Sequence, residues 1–203
     1  MNASIEQVVH TLFEAFILVS LVVFLFLGDL RSTLIPTLAV PVSLIGTFFF
    51  LQIFGVSINL ITLFAMVLAI GIVVDDAIVV VEAVHARMQE KHLSPFLATR
   101  EVINEISGAI IAITLVMTAV FVPVTFMAGP VGTFYRQFSI TMATSIVLSG
   151  IVALTLTPVL CAMILKPHQA NARRGPIGTV MHWFDRFVDH ITGGYAFLLR
   201  GLS

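Results

Sequence analysis

Two adjacent carboxylates, Asp75 and Asp76, sit inside an otherwise uncharged, largely apolar run from Leu60 to Val81, and this couplet constrains the chain more than any other feature. At the centre of a spanning helix an Asp costs about 2.5 to 3.5 kcal/mol on insertion scales. Holding it protonated at pH 7 costs about 4 kcal/mol from a reference pKa of about 3.9. The two costs are comparable, so the couplet is poised between charged and neutral forms, and carboxyls this close titrate as a coupled pair. Three roles are open to it. A cation from another helix can hold both groups ionised as structural glue, since buried charges are normally paired. Alternatively, the pair loads and releases protons during a transport cycle, as carboxylates in pumps do. The third role is intramembrane aspartyl proteolysis, which needs two carboxyls facing each other across a substrate. Here both come from one helix, about 100° apart around its axis, so no enzymatic activity is expected.

The surrounding composition sets the class. With 59% hydrophobic and 10% charged residues and a mean hydropathy of +1.08, the chain is an all-α membrane protein rather than a soluble domain or a disordered segment. The net charge is −1 and the basic residues are scattered over loops, which argues against a nucleic-acid partner. Cys161 is the single cysteine; neither a disulfide framework nor metal-ligand spacing exists, and packing is its expected role. No cofactor or metal is expected; on the proton-loading role the driving energy is the proton-motive force. The first residues lack the basic region of a signal peptide. The abrupt start and finish suggest a piece of a larger protein.

Five spans are expected, at residues 8–27, 34–54, 60–81, 107–127 and 138–165, each long enough for a hydrocarbon core of about 30 Å. Glu14 lies in the first half of span one, as an interfacial group, a helix–helix hydrogen-bond partner or a secondary proton path. Pro36 and Pro41 in span two each remove a backbone donor, predicting a bend and a helix packed among neighbours rather than bathed in lipid. In span three, Gly71 lies one turn before Asp75 and lets another helix approach closely. Glu82 falls near the membrane edge and reads as interfacial. Residues 85–106 form a charged loop read as two short amphipathic helical pieces, the second starting at Ser94-Pro95. Pro123 is expected to kink span four. In span five, Thr141, Ser145, Ser149, Ala153 and Thr157 recur every four residues as a helix-packing stripe. Within 167–203, residues 177–199 are amphipathic but too charged to span, so they are expected on the membrane surface.

Arg31, Arg87, Lys91, Arg100, Lys166, Arg173, Arg174, Arg186 and Arg200 fall on one side of these spans and only Arg136 on the other. The positive-inside rule therefore places the amino end and the turns at Gly55 and Gly129 outside, and the 85–106 loop and the tail in the cytoplasm. No Lys or Arg lies within any span. A counter-cation for the couplet must come from a segment this chain lacks or from another subunit.

Three stretches carry a resemblance: Gly71-Ile72-Val73-Val74-Asp75-Asp76-Ala77-Ile78-Val79-Val80-Val81-Glu82, the earlier Leu34-Ile35-Pro36-Thr37-Leu38-Ala39-Val40-Pro41-Val42, and Tyr135-Arg136-Gln137-Phe138-Ser139-Ile140-Thr141. Together they resemble the resistance-nodulation-division (RND) transporters of the hydrophobic and amphiphilic efflux branch. The resemblance implies a partial helical bundle: residues 1–84 similar to transmembrane helices two to four, 107–166 to five and six, and 177–199 to the surface helix joining the two halves. It also implies a bacterial inner-membrane protein in which Asp75 and Asp76 relay protons with a Lys of the second half, absent here. Family members work as homotrimers with a periplasmic adaptor and an outer-membrane channel, exporting drugs in exchange for protons. Ala83 stands where the family often has Asn. The first helix, the periplasmic domains and the whole second half have no counterpart here, so the segment alone is expected to be inactive. Alternatives are a truncated, non-transporting membrane remnant or scaffold, a metal-exporting RND relative, and a proton-driven protein-export accessory.

Overall fold

The computed structural model describes residues 2–166, and the amphipathic stretch expected at 177–199 lies outside the described residues. Five long helices follow one another: α1 (Asn2–Leu27), α2 (Leu30–Ile53), α3 (Leu60–Lys91), α4 (Pro95–Phe121) and α5 (Pro130–Ile164), with a 3-10 turn at Pro123–Phe126 between the last two. All five are long and apolar enough to cross a membrane. Among the described residues there is no strand.

Helix ends follow local chemistry. Gly28 and Gly55 take positive φ values of 66° just beyond α1 and α2, conformations that glycine reaches without a Cβ penalty. Asp29 caps α2, its carboxylate accepting from the Ser32 amide at 3.3 Å. Asn59 caps α3 in a reciprocal box: its side chain accepts from the Thr62 amide at 3.1 Å, and the Thr62 hydroxyl accepts from the Asn59 amide at 2.8 Å. Two backbone donors are thereby satisfied at once. The Asn59 side chain also donates to Gln137, joining the outward starts of α3 and α5.

The charged segment between the third and fourth spans differs from expectation. Rather than forming separate pieces, it extends the two helices, leaving only His92, Leu93 and Ser94 between them. At 32 residues, α3 runs about 48 Å, so its last turns stand clear of a hydrocarbon core of about 30 Å. Those turns are tied to α4 by ions. Arg87 donates to Glu101 at 3.1 Å and to Glu105, and Lys91 donates to Glu101 at 2.8 Å. These cations, Lys91 foremost, hold the Glu101 carboxyl below its ordinary value. Ser94 occupies the cap position before Pro95, although its side chain makes no capping bond. Near Pro123 the α-helix stops rather than kinks, giving way to the 3-10 turn.

At the centre of the bundle, α3 packs most extensively on α5, and α5 also packs on α2 and α4. Small residues make this possible. Ala39 of α2, Ala77 of α3 and Val152 of α5 meet in one cluster, while Ala65 and Ala69 of α3 pack on Met142 of α5. The α5 stripe Thr141, Ser145, Ser149, Ala153 and Thr157 is wholly buried. Within it, Thr141 donates to the Gln137 carbonyl at 2.8 Å and Ser145 to the Thr141 carbonyl at 2.9 Å. Hydroxyls satisfied within their own helix can enter an apolar interface at little cost. The proline-bearing α2 is packed as expected, with Ile35, Pro36, Ala39 and Val40 all buried. By contrast, α1 and α4 turn large apolar side chains such as Phe13, Phe26, Leu115 and Val116 outward from the described helices.

Candidate functional site

Neighbouring positions on a helix are rotated by about 100°, and α3 uses that rotation to send its two carboxylates to different places. Ala69, Val73, Ala77 and Val80 on one side of α3 are buried. Asp76 stands at the edge of that side, half-buried, and its Oδ2 accepts a hydrogen bond from Ser149 Oγ at 2.6 Å. The stripe Phe64, Leu68, Gly71, Asp75, Val79 and Glu82, stepping by three or four residues, is exposed along its whole length. Asp75 lies midway along it.

Gly71 belongs to that open stripe. A Cβ built there would meet nothing within 4 Å, so among the described residues no helix uses the close approach it offers. Ser145, Ser149 and Ala153 do pack, in the α3–α5 seam. Ser149 does more than fill space, however, because its hydroxyl is the partner of Asp76. A hydroxyl both donates and accepts. It can donate to an ionised carboxylate and accept from a protonated one, so the contact can persist through a change of protonation. Sequence reading placed Ser149 on the packing stripe but could not detect this partnership across 73 positions of chain.

Glu14 is elsewhere. It is exposed and pairs with His10 Nδ1 at 3.1 Å, four residues earlier on α1. The apolar α1 residues packed on the α2–α3 cluster are Leu12, Ala15, Phe16, Val19, Val23 and Leu27. Val23 lines the same groove as Asp75, and Glu14 lies nine residues earlier, about 13 Å toward the outward side. The structure therefore does not join Glu14 to the couplet. Cys161 is fully buried among apolar neighbours, in keeping with a packing role.

Among the described residues no cation pairs with Asp75 or Asp76. The cations at the last turns of α3, Arg87 and Lys91, are engaged by Glu90, Glu101 and Glu105. What the geometry provides is one carboxylate steadied by a hydroxyl inside a packed seam and a second, one residue earlier, facing outward from the bundle with no ion partner.

The model of one family, described as AcrB/AcrD/AcrF, matches residues 1–202. The chain belongs to this family. The match bears out the resemblance to RND multidrug efflux transporters drawn from the motifs. Among curated relatives, the solvent-resistant pump membrane transporter SrpB of Pseudomonas putida is 51% identical over 203 residues, covering 98% of this chain and 19% of SrpB. The multidrug export protein AcrF of Escherichia coli (strain K12) is 52% identical over 192 residues, covering 95% of this chain and 18% of AcrF. The multidrug resistance protein MdtF of the same strain is 48% identical over 202 residues, covering 97% of this chain and 19% of MdtF. The chain thus spans about a fifth of the length of these AcrB/AcrD/AcrF-family relatives. With five apolar helices and this family membership, it is a multi-pass protein of the bacterial inner membrane.

Proposed function

We propose that the chain is the proton-coupling portion of an RND efflux transporter, in which Asp75 and Asp76 take up and release protons and the change in their charge repacks α3 against its neighbours. The observation that carries this reading is the divergence of the two carboxylates. A cycling pair asks for one group anchored to a neighbouring helix and another open to a partner. Asp76 bonded to Ser149 and Asp75 on the exposed stripe with Gly71 fit that description.

On this reading the open stripe of α3 receives a helix from outside the described residues, approaching across Gly71 and bringing a Lys to Asp75 and Asp76. The described helices then correspond to the second to sixth of a twelve-helix transporter that works as a homotrimer with a periplasmic adaptor and an outer-membrane channel. The segment alone does not transport. The names of relatives, among them a toluene efflux pump membrane transporter and a multidrug export protein, support apolar, membrane-partitioning solutes as the exported class.

The test is to replace Asp75 or Asp76 by Asn in the complete transporter carrying this segment and to follow drug export and proton flux in vesicles. Loss of both, at unchanged membrane abundance, is expected from either substitution. Export at the parental rate would refute the relay.

A further inference from the structure

The end of the bundle where α3 and α5 begin has one Lys or Arg among the described residues, Arg136 in the second turn of α5. It lines a cleft of about 600 Å³ between the start of α5 and the 3-10 turn, together with Thr125, Phe126, Met127, Thr133 and Ile140. The cleft exists because the chain folds back closely on itself. Gly129 takes a φ of 94°, which side chains with a Cβ rarely adopt. The Met127 carbonyl then comes so near α5 that a Cβ on Gly132 would lie 2.2 Å from its oxygen, so glycine is required there too.

Arg136 is a cation without an acid. No Asp or Glu occurs between Asp29 and Asp75 or between Glu105 and Asp185, so α2, the first half of α3, the second half of α4 and all of α5 offer it no carboxylate. The acids in the first half of α1, Glu6 and Glu14, belong to a helix that packs on α2 and α3. The ion pairs of the described residues lie elsewhere, within α1 and at the α3–α4 corner. Around this cation the surface is aromatic: Phe134 and Tyr135 of α5 and Phe126 of the 3-10 turn are all exposed, as in the aromatic belts found at headgroup level. Along the helix axis the cleft is graded. The Thr133 hydroxyl and the Arg136 guanidinium come first, and Ile140 lies about 6 Å further into the span. A soluble anion would leave the apolar part uncovered, and an uncharged lipid would leave the guanidinium unpaired. A phosphate with hydrocarbon behind it satisfies both.

We propose that the cleft at the start of α5 binds a phospholipid, with Arg136 holding the phosphodiester and Phe126, Met127 and Ile140 contacting the first carbons of the acyl chains. The planar guanidinium can grip two phosphate oxygens at once, and the Thr133 hydroxyl supplies a further donor. Thr125 spends its own proton on the Val122 carbonyl at 2.7 Å and serves only as wall. The bound headgroup fixes the depth of this end of α5 in the bilayer. The site goes beyond the relay reading and does not depend on it.

The experiment places the complete transporter in bilayers of phosphatidylethanolamine and phosphatidylglycerol, doped with a phosphatidylglycerol whose acyl chain carries a diazirine beside the glycerol ester. After irradiation, adducts on residues 125–140 are counted by peptide mass spectrometry against the total labelling of the protein. Arg136→Gln is expected to lower that fraction about tenfold, the weight of one charge-assisted contact, and Arg136→Lys, which keeps the charge, to lower it less. A diacylglycerol with the same diazirine should label the cleft weakly, and equally in the parent and in Arg136→Gln. Inorganic phosphate, at an ionic strength matched with chloride, should not displace the phospholipid. Parental labelling in Arg136→Gln, or diacylglycerol labelling as strong as that by the phospholipid, reduces the cleft to ordinary lipid contact and overturns the proposal. Displacement by inorganic phosphate assigns the cleft to a soluble anion, and a parent without phospholipid adducts there has it filled by another part of the transporter. Either result overturns the proposal as well.

Discussion

The two faces of α3 are built from similar residues and serve opposite ends. On the seam, Ala65, Ala69 and Ala77 are small because α5 and α2 come close, and Asp76 has a partner there in Ser149. On the stripe, Gly71 is small with nothing beside it, and the large residues Phe64, Leu68 and Val79 are exposed. The difference teaches that residue size alone does not report packing. A small residue next to a carboxylate marks either a completed interface or one awaiting its other half, and only the neighbours distinguish them.

The sharpest way to break this comparison is to enlarge one small residue on each face. Ala69→Leu, in the filled seam, is expected to destabilise the five-helix chain by about 1–3 kcal/mol through overpacking, read as a lowered thermal midpoint in detergent. Gly71→Leu should leave that midpoint unchanged or slightly higher, since it removes a helix glycine at no steric cost, yet abolish transport in the complete protein. Equal loss of stability from both would show that the stripe is not open.

A double-mutant cycle sharpens the comparison at the couplet itself. Ser149→Ala with Asp76→Asn is expected to show a coupling of about 1 kcal/mol, the size of one hydrogen bond. Ser149→Ala with Asp75→Asn should show none, and coupling to Asp75 instead would reverse the assignment of the two carboxylates.

Two smaller effects lie at the α3–α4 corner, which belongs to neither face and serves as a control. His92 closes α3 in the left-handed region with φ at 51°, where a Cβ is strained. His92→Gly is expected to stabilise by about 0.5–1 kcal/mol without altering proton flux. The last effect concerns pH. Glu101 is held below its ordinary value of 4.5, first by Lys91 and then by Arg87, so its contribution is present above that value and is lost as the pH falls through the depressed one. The ion-paired corner should therefore loosen on acidification, followed by exchange of backbone amides near residues 91–101, and Glu101→Gln should remove that response. Glu101 and Lys91 reach solvent, so the change will be small.

Some of this was open to a reader of residues alone. Span number and the position of the couplet follow from hydropathy, and the seam from the four-residue recurrence of Thr141, Ser145, Ser149, Ala153 and Thr157. The charged segment 85–106 was harder, because short periodic pieces outside a membrane look the same whether separate or continuous with a span. Arg87 and Lys91, four apart, and Glu101 and Glu105, four apart, are the sequence signal of two helix ends facing each other. Their pairing needed coordinates. The α1–α3 groove left no sequence trace, since Val22, Val23, Phe26 and Leu27 read as ordinary apolar span.

By itself the sequence determined that this chain has five segments long and apolar enough to cross a membrane and carries two acids within the third. Those properties depend on local hydropathy, where every buried backbone group must be satisfied within its own helix. Tertiary structure alone decided which acid enters the bundle and which faces outward. The rotation of a helix about its axis is a compromise among all the surfaces packed against it, and the Ser149 hydroxyl that holds Asp76 comes from a helix far along the chain.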